Sequence, residues 1–422
     1  MKLTNSVKKT VFSHGLTLLT EDRTHQKTLA LGAWIKVGSR HESEPGICHY
    51  LEHMLFKGTK TRTALDIARQ IDQIGGDFNA FTTREYTCLH LTLLDTHGKL
   101  GLEILSDILL NSAFKNQEFE REKTVILQEI AMVEESPEEL AHDLFFEKIY
   151  PKQGLGRSIL GTQASIESMK RKDLINFFQR HYQPHQIIIA IAGNMHHETA
   201  IEALQPLNQS LGNKSYCPPN FSPPPAKFRP GYWWIKRPTE QVHFLWGAPA
   251  SAYNCPDRFP SLLLNLYLGS GMSSVLFQEI REKHGLAYTI YSSLSSFSDT
   301  GLFSIYAATH PNQAQRCLDL LEKCIQRVKT RKISSQQLQL LQENLKNNIL
   351  LGSDHAEISM SRLAKNELFF HRPLKIQEIF KKIDTTTAED LKKVAQKYFQ
   401  QQCLLILGPS SSKMLLKNYE NR

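Results

Sequence analysis

The sequence predicts an α+β protein with two similar tandem domains, each a largely antiparallel sheet with helices packed on one face. Runs with the alternation of strands occur beside runs with helical periodicity in both halves of the 422-residue chain. A proline-dense stretch without helical periodicity, 213–234, lies near the middle. We therefore expect a first domain over 1–212, a linker over 213–234 and a second domain over 235–422.

The order of predicted elements recurs in the two halves. Each half begins with strand-like runs, continues with helices, shows a strand pair and closes with a helix that feeds a buried strand. Such repetition indicates a tandem duplication, and the hairpins favour an α+β fold over a regular alternation of strands and helices. The matching segments are 28–38 with 240–249, 80–94 with 287–309 (a hairpin turning at 298–301), and those starting at Asp173 and Asp390.

Composition and charge narrow the class of protein. Apolar residues make up 41% and charged residues 22%, as in soluble globular proteins. The net charge of +8 is spread along predicted helices, so it lacks the clustered footprint of a nucleic-acid-binding protein. Apolar runs fall short of the roughly 18 residues that cross a membrane. Seven dispersed cysteines indicate reduced thiols, and no secretory signal is recognisable at the N-terminus. We expect a cytoplasmic protein.

The stretch HYLEHMLFKGT, 49–59, carries the first candidate site residues. In a helix, His49 and His53 lie on one face and can share a metal ion. Glu52 then lies beside the ion, where it can hold a water. The neighbouring residues are apolar, and burying imidazoles without a partner is costly. Because histidine pairs with this spacing also occur by chance without a metal, a third ligand is required.

The third ligand is predicted in a second helix, EREKTVILQEIAMVEE, 120–135. Glu122, Ile126, Glu129 and Val133 are spaced as one helical stripe. Since Ile126 and Val133 should face the core, the two glutamates share a face where a carboxylate needs a partner. A cation would resolve this conflict, although a glutamate in a charge-rich helix can also belong to a solvated face.

Together the two helices predict a catalytic metal site. His49, His53 and Glu129 form a His₂Glu set with one open position, the arrangement of catalytic zinc, so we expect one Zn²⁺ per chain. Zinc lowers the pKa of water, and Glu52 would take the proton as general base. The expected reaction is hydrolysis. Glu122 is expected to orient a ligand or to set the local charge.

These residues resemble those of the pitrilysin and insulinase family of inverted-motif zinc peptidases. HxxEH is that family's motif, and Glu129 follows 76 residues after His53. The short family members, similar to the β-subunit of the mitochondrial processing peptidase, are the best match. Five segments occur in the family's order and span almost the whole chain: GSRHESEPGICHYLEHMLFKGTKTR, IGGDFNAFTTREYT, EREKTVILQEI, RHYQPHQIIIAIAGN and LGSGMSSVLFQEIREKHGLAYTIYS.

The resemblance implies a fold, an activity and partners. A chain of this length would form two similar α+β domains as half of a clamshell, pairing as a homodimer or as a heterodimer with a related subunit. It would be a zinc-dependent endopeptidase that hydrolyses unfolded peptides or small proteins enclosed in a chamber. The second half is expected to lack the metal site, and its corresponding helix, FPSLLLNLYLGSG, carries no residue like His49, Glu52 or His53.

The resemblance also implies residues that bind the substrate. Asn79 and Ala80 correspond to a sheet edge to which a peptide adds as a strand through main-chain hydrogen bonds. Arg281 and Tyr288 correspond to a pair that donates to a substrate carbonyl or a developing oxyanion. Without the resemblance, the first pair belongs to an ordinary edge strand, and the second pair is a helix-end cation and a strand aromatic.

A non-catalytic peptide-binding or assembly subunit of the same fold is the alternative function. Such forms usually have broken metal motifs. This sequence retains the complete set, which favours an enzyme: His49, Glu52, His53, Glu122 and Glu129. A mitochondrial leader is not recognisable at the N-terminus, so general peptide breakdown fits better than processing of organellar presequences.

Overall fold

The computed structural model describes residues 7–212 and 223–420 of the chain. These residues form two compact units, and each unit combines segments from both halves of the sequence. The first unit comprises Met1–Ala131, Arg157–Pro223 and Leu350–Pro373. The second comprises Met132–Gly156, Pro224–Ile349 and Leu374–Arg422.

Each unit contains one sheet. The strands of the first sheet are β1 (Val7–Val11), β2 (Thr17–Asp22), β3 (Thr28–Ile35), β4 (Asp77–Thr82), β5 (Thr87–Leu94) and β6 (Ile187–Gly193). The strands of the second sheet are β7 (Gly231–Lys236), β8 (Val242–Ala250), β9 (Thr289–Ser296), β10 (Gly301–Thr309) and β11 (Cys403–Gly408).

The helices follow the same division. The first half contains α1 (Ile47–Leu55), α2 (Ala64–Gln73), α3 (Gly98–Asn111), α4 (Asn116–Glu135), α5 (Pro137–Ile149), α6 (Gln163–Ser168), α7 (Arg171–His181), α8 (His197–Ala203) and α9 (Gln205–Gly212). The second half contains α10 (Arg258–Leu268), a π-helical turn (Phe277–Glu282), α11 (Ala314–Thr330), α12 (Ser335–Ser353), α13 (Ala356–Phe370), α14 (Ile376–Asp384), α15 (Ala388–Tyr398) and α16 (Lys413–Glu420).

The two sheets have the same topology. The first has the order β1-β2-β6-β3-β5-β4 and the second the order β7-β11-β8-β10-β9. In each sheet one pair is parallel, β2 with β6 and β7 with β11, and the other pairs are antiparallel. The second sheet therefore repeats the first, except that β1 has no counterpart among the described residues. This confirms the tandem plan and the largely antiparallel α+β class.

The alternation of β3 shows how the first sheet is covered on both faces. Leu31 and Ile35 point into the larger apolar core, which includes residues of α1, α3 and α7. Ala30 and Trp34 point to the opposite face, where they pack with Met360 of α13. The sequence predicted helices on one face only. The second face is also covered because β3 is apolar at both sets of alternating positions.

The helix on the second face comes from the other half of the chain in both units. In the second unit, Leu245 of β8 packs with Phe145 of α5. A Cβ atom on Gly32 of β3 would lie 2.9 Å from Sδ of Met360, and one on Gly247 of β8 would lie 2.6 Å from Cζ of Phe145. Glycine at these two central positions permits the close approach of the exchanged helices.

This exchange corrects the predicted domain boundaries. The compact units differ from the contiguous halves 1–212 and 235–422, because α5 belongs to the second unit and α13 to the first. The predicted linker, 213–234, is also too long: Gly231–Trp234 are part of β7, which pairs with β11. The remainder of that linker includes 213–222, which lie outside the described residues.

Among the described residues, no helix is long and apolar enough to cross a membrane.

Candidate metal centre

Helix α1 presents the HxxEH residues because its other faces are buried. Tyr50, Leu51 and Met54 are completely buried in the core of the first unit. The helix begins where the carboxylate of the buried Glu42 accepts the N–H groups of Gly46 and Cys48, at 3.0 and 2.9 Å. Burial raises the pKa of Glu42 to about 8, and these two N–H donors oppose that rise. This cap fixes the start of α1 just before the first histidine.

Helix α4 supplies the third candidate ligand from a buried stripe. Glu122 is 5% exposed, Ile126 is completely buried and Ile130 is buried. Glu129 is half-buried, with its side chain 36% exposed. Val133, which was expected to face the core, is only half-buried, because the chain leaves the first unit after Ala131. The stripe is thus present, with Ile130 as its last buried member.

Three predicted ligand atoms converge. Nε2 of His49 and Nε2 of His53 each lie 3.6 Å from Oε2 of Glu129. Among the described residues, this trio is the group of histidine, cysteine and acidic side chains that could hold a metal ion, and its ligand atoms lie within 4.8 Å of one another. Two atoms about 2.0–2.1 Å from one tetrahedral zinc lie roughly 3.3–3.5 Å apart. The donor set and its spacing therefore fit zinc.

The protonation of the two histidines suits metal binding. Burial and the neighbouring His53 lower the pKa of His49 to about 3, so its ring is neutral at physiological pH. Nδ1 of His53 lies 3.0 Å from Oε2 of Glu122. A carboxylate accepts hydrogen bonds, so in the neutral ring the proton resides on Nδ1 and the lone pair of Nε2 faces Glu129. This is the tautomer that binds a metal through Nε2.

Glu122 has a second partner that the sequence did not predict. Nζ of Lys57 lies 2.7 Å from its Oε1. Lys57 follows His53 by four residues, so helical spacing was a signal that could have indicated it. The carboxylate of Glu122 thus joins a histidine and a lysine of the same segment.

Glu52 also has an unpredicted partner. The hydroxyl of Thr82, the last residue of β4, donates to Oε2 of Glu52. Burial raises the pKa of Glu52, while the hydrogen bond from Thr82 and the nearby His53 lower it. No local pattern could have indicated Thr82, because its contact with Glu52 depends on how β4 packs against α1. Glu52 is thus a partly buried carboxylate next to the ligand His53.

Asn79 and Ala80 lie in β4, the edge strand next to β5. The Asn79 side chain is exposed, and its Oδ1 accepts the main-chain N–H of Ala80 at 2.8 Å. That N–H therefore points away from β5, toward the open edge. The predicted edge position is present in the structure, and on the same strand Thr82 contacts Glu52.

Arg281 and Tyr288 lie in the second unit and contact each other. The guanidinium of Arg281 lies 5.0 Å from the centre of the Tyr288 ring. Arg281 belongs to the π-helical turn, and its carbonyl accepts the N–H of Gly285, which has a φ of +61°. Tyr288 is 76% exposed and directly precedes β9. The local prediction of a helix-end cation before a glycine cap is therefore confirmed.

In the second repeat, α10 occupies the place of α1 in the chain order. It carries Leu263 and Leu264, both completely buried, in a helix without histidine or acidic residues. The expected absence of a second HxxEH helix is thus a property of this sequence.

Comparisons with known proteins agree with this geometry. The family model described as "Insulinase (Peptidase family M16)" matches residues 17–163, and the model described as "Peptidase M16 inactive domain" matches residues 168–345. An uncharacterized zinc protease of Streptomyces coelicolor is 33% identical over 97% of this chain and 91% of its own length. The uncharacterized zinc protease YmxG of Bacillus subtilis is 33% identical over 96% of this chain and 99% of its own length.

Solved structures show the same fold. A protease from Helicobacter pylori superposes with a TM-score of 0.90 at 21% identity, covering 96% of this chain and 100% of that one. A structure described as the peptidase M16 inactive domain from Pseudomonas fluorescens superposes with a TM-score of 0.88 at 18% identity, covering 96% of this chain and 98% of that one. Because two M16 models match successive parts of the chain and relatives match nearly all of it, this protein belongs to the insulinase (M16) peptidase family.

Proposed function

We propose that this protein is a zinc-dependent endopeptidase that hydrolyses unfolded peptides or small proteins and holds one Zn²⁺ per chain. The observation that carries the proposal is the convergence of His49, His53 and Glu129, with Glu52 on the same helix as the two histidines. Relatives named zinc proteases support the choice of zinc.

The proposed hydrolysis divides the work between the metal and one carboxylate. A zinc ion held by His49, His53 and Glu129 would supply Lewis acidity to an attacking water and to the scissile carbonyl. Glu52 accepts the proton of that water on its carboxylate and later passes it to the leaving amine. Burial supports this role, because it raises the pKa of Glu52 and makes the carboxylate a better base than an exposed one.

Glu122 acts through His53. Its Oε2 accepts the Nδ1–H of His53, which fixes the ring orientation and leaves Nε2 free to bind the metal. We therefore assign Glu122 to the catalytic machinery as a positioning residue.

The open edge of β4 is the proposed site for the peptide backbone. Ala80 can exchange the bond between its N–H and Asn79 Oδ1 for a bond to a substrate carbonyl. Main-chain pairing of this kind is indifferent to substrate side chains, as general peptide breakdown requires. Arg281 and Tyr288 are proposed as further donors to the peptide, which is consistent with the exposure of the Tyr288 ring.

We further propose a cytoplasmic enzyme that pairs as a homodimer or with a related subunit and encloses its substrate in a chamber. These features rest on the family resemblance. Light scattering of the purified protein would measure the number of chains. A series of unstructured peptides of increasing length would show an upper size limit if the substrate must be enclosed.

A Glu52→Gln variant tests the proposed chemistry. Because the ligands remain, zinc content should stay near one per chain, while turnover of a quenched-fluorescent peptide should fall by roughly 10²–10⁴. Chelation should abolish turnover of the unmodified protein. The control is Glu120→Gln, which changes an exposed glutamate of α4 and should leave both properties unchanged.

Two outcomes would contradict the proposal. Protein that is purified without metal, and whose melting temperature is unchanged by added zinc, would reject the site itself. Stoichiometric zinc without cleavage of any unstructured peptide would favour the non-catalytic peptide-binding or assembly subunit.

A further inference from the structure

Lys57 and His53 contact the same buried carboxylate. Nζ of Lys57 lies 2.7 Å from Oε1 of Glu122, and Nδ1 of His53 lies 3.0 Å from Oε2. The lysine follows α1 directly, and its own N–H donates to the carbonyl of Met54. The segment that carries two candidate ligands therefore also carries the cation that holds the carboxylate behind one of them.

The burial of the partners distinguishes this ion pair from an ordinary surface pair. The Glu122 side chain is 7% exposed and that of Lys57 is 30% exposed. Exposed ion pairs contribute little, because water screens them and both side chains lose freedom. A buried carboxylate, in contrast, requires a charged or hydrogen-bonded partner for each oxygen. Here one oxygen is satisfied by Lys57 and the other by His53.

The geometry indicates what the lysine does for the histidine. The Glu122 carboxylate ends a flexible side chain on α4, whereas His53 needs an acceptor at one fixed position to direct Nε2 toward Glu129. With Lys57 on Oε1, the carboxylate plane cannot turn away from His53 without breaking a 2.7 Å contact. The constraint comes from α1 itself, so it moves with the histidine that it serves.

We propose that Lys57 is a positioning residue of the metal centre: it holds Glu122 so that Glu122 orients His53 for zinc. The inference rests on the proposed function, because it takes His53 as a metal ligand. It adds a residue whose contribution is made through Glu122 and that touches neither the metal nor the substrate.

The test is the zinc affinity of the full-length protein, measured by competition with a chromophoric chelator. Outer partners of metal ligands typically contribute 10–100-fold to affinity, so Lys57→Met should weaken zinc binding about 10-fold. Lys57→Arg keeps the positive charge and should recover most of the loss. The control is Lys60→Met, which removes an exposed lysine three residues later and should leave the affinity unchanged.

A double-mutant cycle shows whether the lysine acts through Glu122. Glu122→Gln alone should weaken zinc binding, and adding Lys57→Met to it should have less than about a twofold further effect. Melting of the zinc-free variants checks that each one folds. Lys57→Gln is the second variant if the methionine does not fold. A role limited to folding stability would lower the melting temperature and leave the zinc affinity of the folded protein unchanged.

Two results would overturn the inference. Lys57→Met and Lys57→Gln with the zinc affinity of the unmodified protein would remove the role of Lys57 and leave the proposed peptidase standing. A full additional loss in the Glu122→Gln background would show that Lys57 does not act through Glu122. If the unmodified protein bound no zinc, the proposed function and this inference would fail together.

Discussion

The carboxylates beside the candidate ligands differ in their partners, and this difference separates their roles. Glu122 is held from both sides, by Lys57 and His53, which suits a group that must stay in place. Glu52 receives the hydroxyl of Thr82 on Oε2. A base that accepts and releases a proton requires this looser arrangement, because its carboxylate must change its hydrogen bonds during turnover.

Thr82→Val tests the influence of the hydroxyl on Glu52. The hydrogen bond lowers the pKa of Glu52, so its removal should raise that pKa. Since the base must be ionised, activity is lost as the pH falls through its pKa, and the acidic limb of the profile of kcat/KM should move to higher pH. The expected shift is about one unit, the equivalent of one hydrogen bond to a charged group.

Thr82→Ser is the matched control for this experiment. Serine retains the hydroxyl and should give the acidic limb of the unmodified protein. A valine variant whose pH profile coincides with that of the serine variant would show that the contact does not tune the base.

Helical spacing predicted His49, His53, Glu122 and Glu129, because residues on one helix keep a fixed relation that the sequence displays. Thr82 could not be predicted in this way. Its hydroxyl reaches Glu52 across the packing of β4 against α1, and that relation is set by the tertiary structure.

Helix α13 is tied to the first sheet by a buried cluster of charges. Glu21 at the end of β2 pairs with Arg23 and Arg362, each at 2.6 Å. Arg23 also donates to the carbonyl of Ser353 and to the hydroxyl of Ser359, both on the far side of the linker in sequence. The exchanged helix is therefore held by specific polar contacts as well as by apolar packing.

Glu21→Gln should destabilise the first unit strongly. The substitution leaves Arg23, which is 3% exposed, and Arg362 without their shared counter-charge. Loss of one partner of a buried ion pair typically costs about 3–5 kcal/mol, and chemical denaturation would measure the change in the free energy of unfolding.

An exposed ion pair of the same unit provides the control. Glu198 pairs with Lys8 at 2.8 Å, with 68% and 51% of the side chains exposed. Glu198→Gln should cost roughly 0–1 kcal/mol. If the two substitutions destabilised the protein equally, the cluster at Glu21 would not be the anchor described here.

Most strands and hairpins were predictable from local pattern. The expected turn at 298–301 lies between β9 and β10, where the N–H of Phe297 donates to the carbonyl of Thr300. The helix–strand endings are α7 with β6 and α15 with β11, as the repeated segments indicated. The Gly231–Trp234 part of β7 was hidden by the prolines before it, which read as a continuous linker.

The exchange of α5 and α13 could not be predicted from the sequence, because either helix has an apolar face that suits either sheet. Nothing in a hydrophobic pattern states which of two similar sheets a helix covers. The close approaches at Gly32 and Gly247 record the choice, but these glycines acquire that meaning only once the packing is known.

Separate expression of the halves tests this architecture. Fragment 1–212 lacks α13, so the face of its sheet formed by Leu19, Trp34 and Ile188 would be exposed to water. We expect this fragment to aggregate alone, and to co-purify as a zinc-binding complex with fragment 223–422 when the two are expressed together. Gel filtration and zinc analysis would measure both outcomes.

Contiguous independent halves would behave differently. If fragment 1–212 were monodisperse and unfolded cooperatively without its companion, α13 would not be required to cover the first sheet. Such a result would restore the domain boundaries expected from the sequence alone.

The reciprocal placement of α5 and α13 bears on how such a chain could arise. An ancestor with a single repeat would have closed its sheet only by trading this helix with a twin molecule, as in a domain-swapped dimer. Fusing the twins would have made the trade permanent within one polypeptide. Drift could then erase the histidines from one copy, as Leu263 and Leu264 show, without costing the other copy its cover.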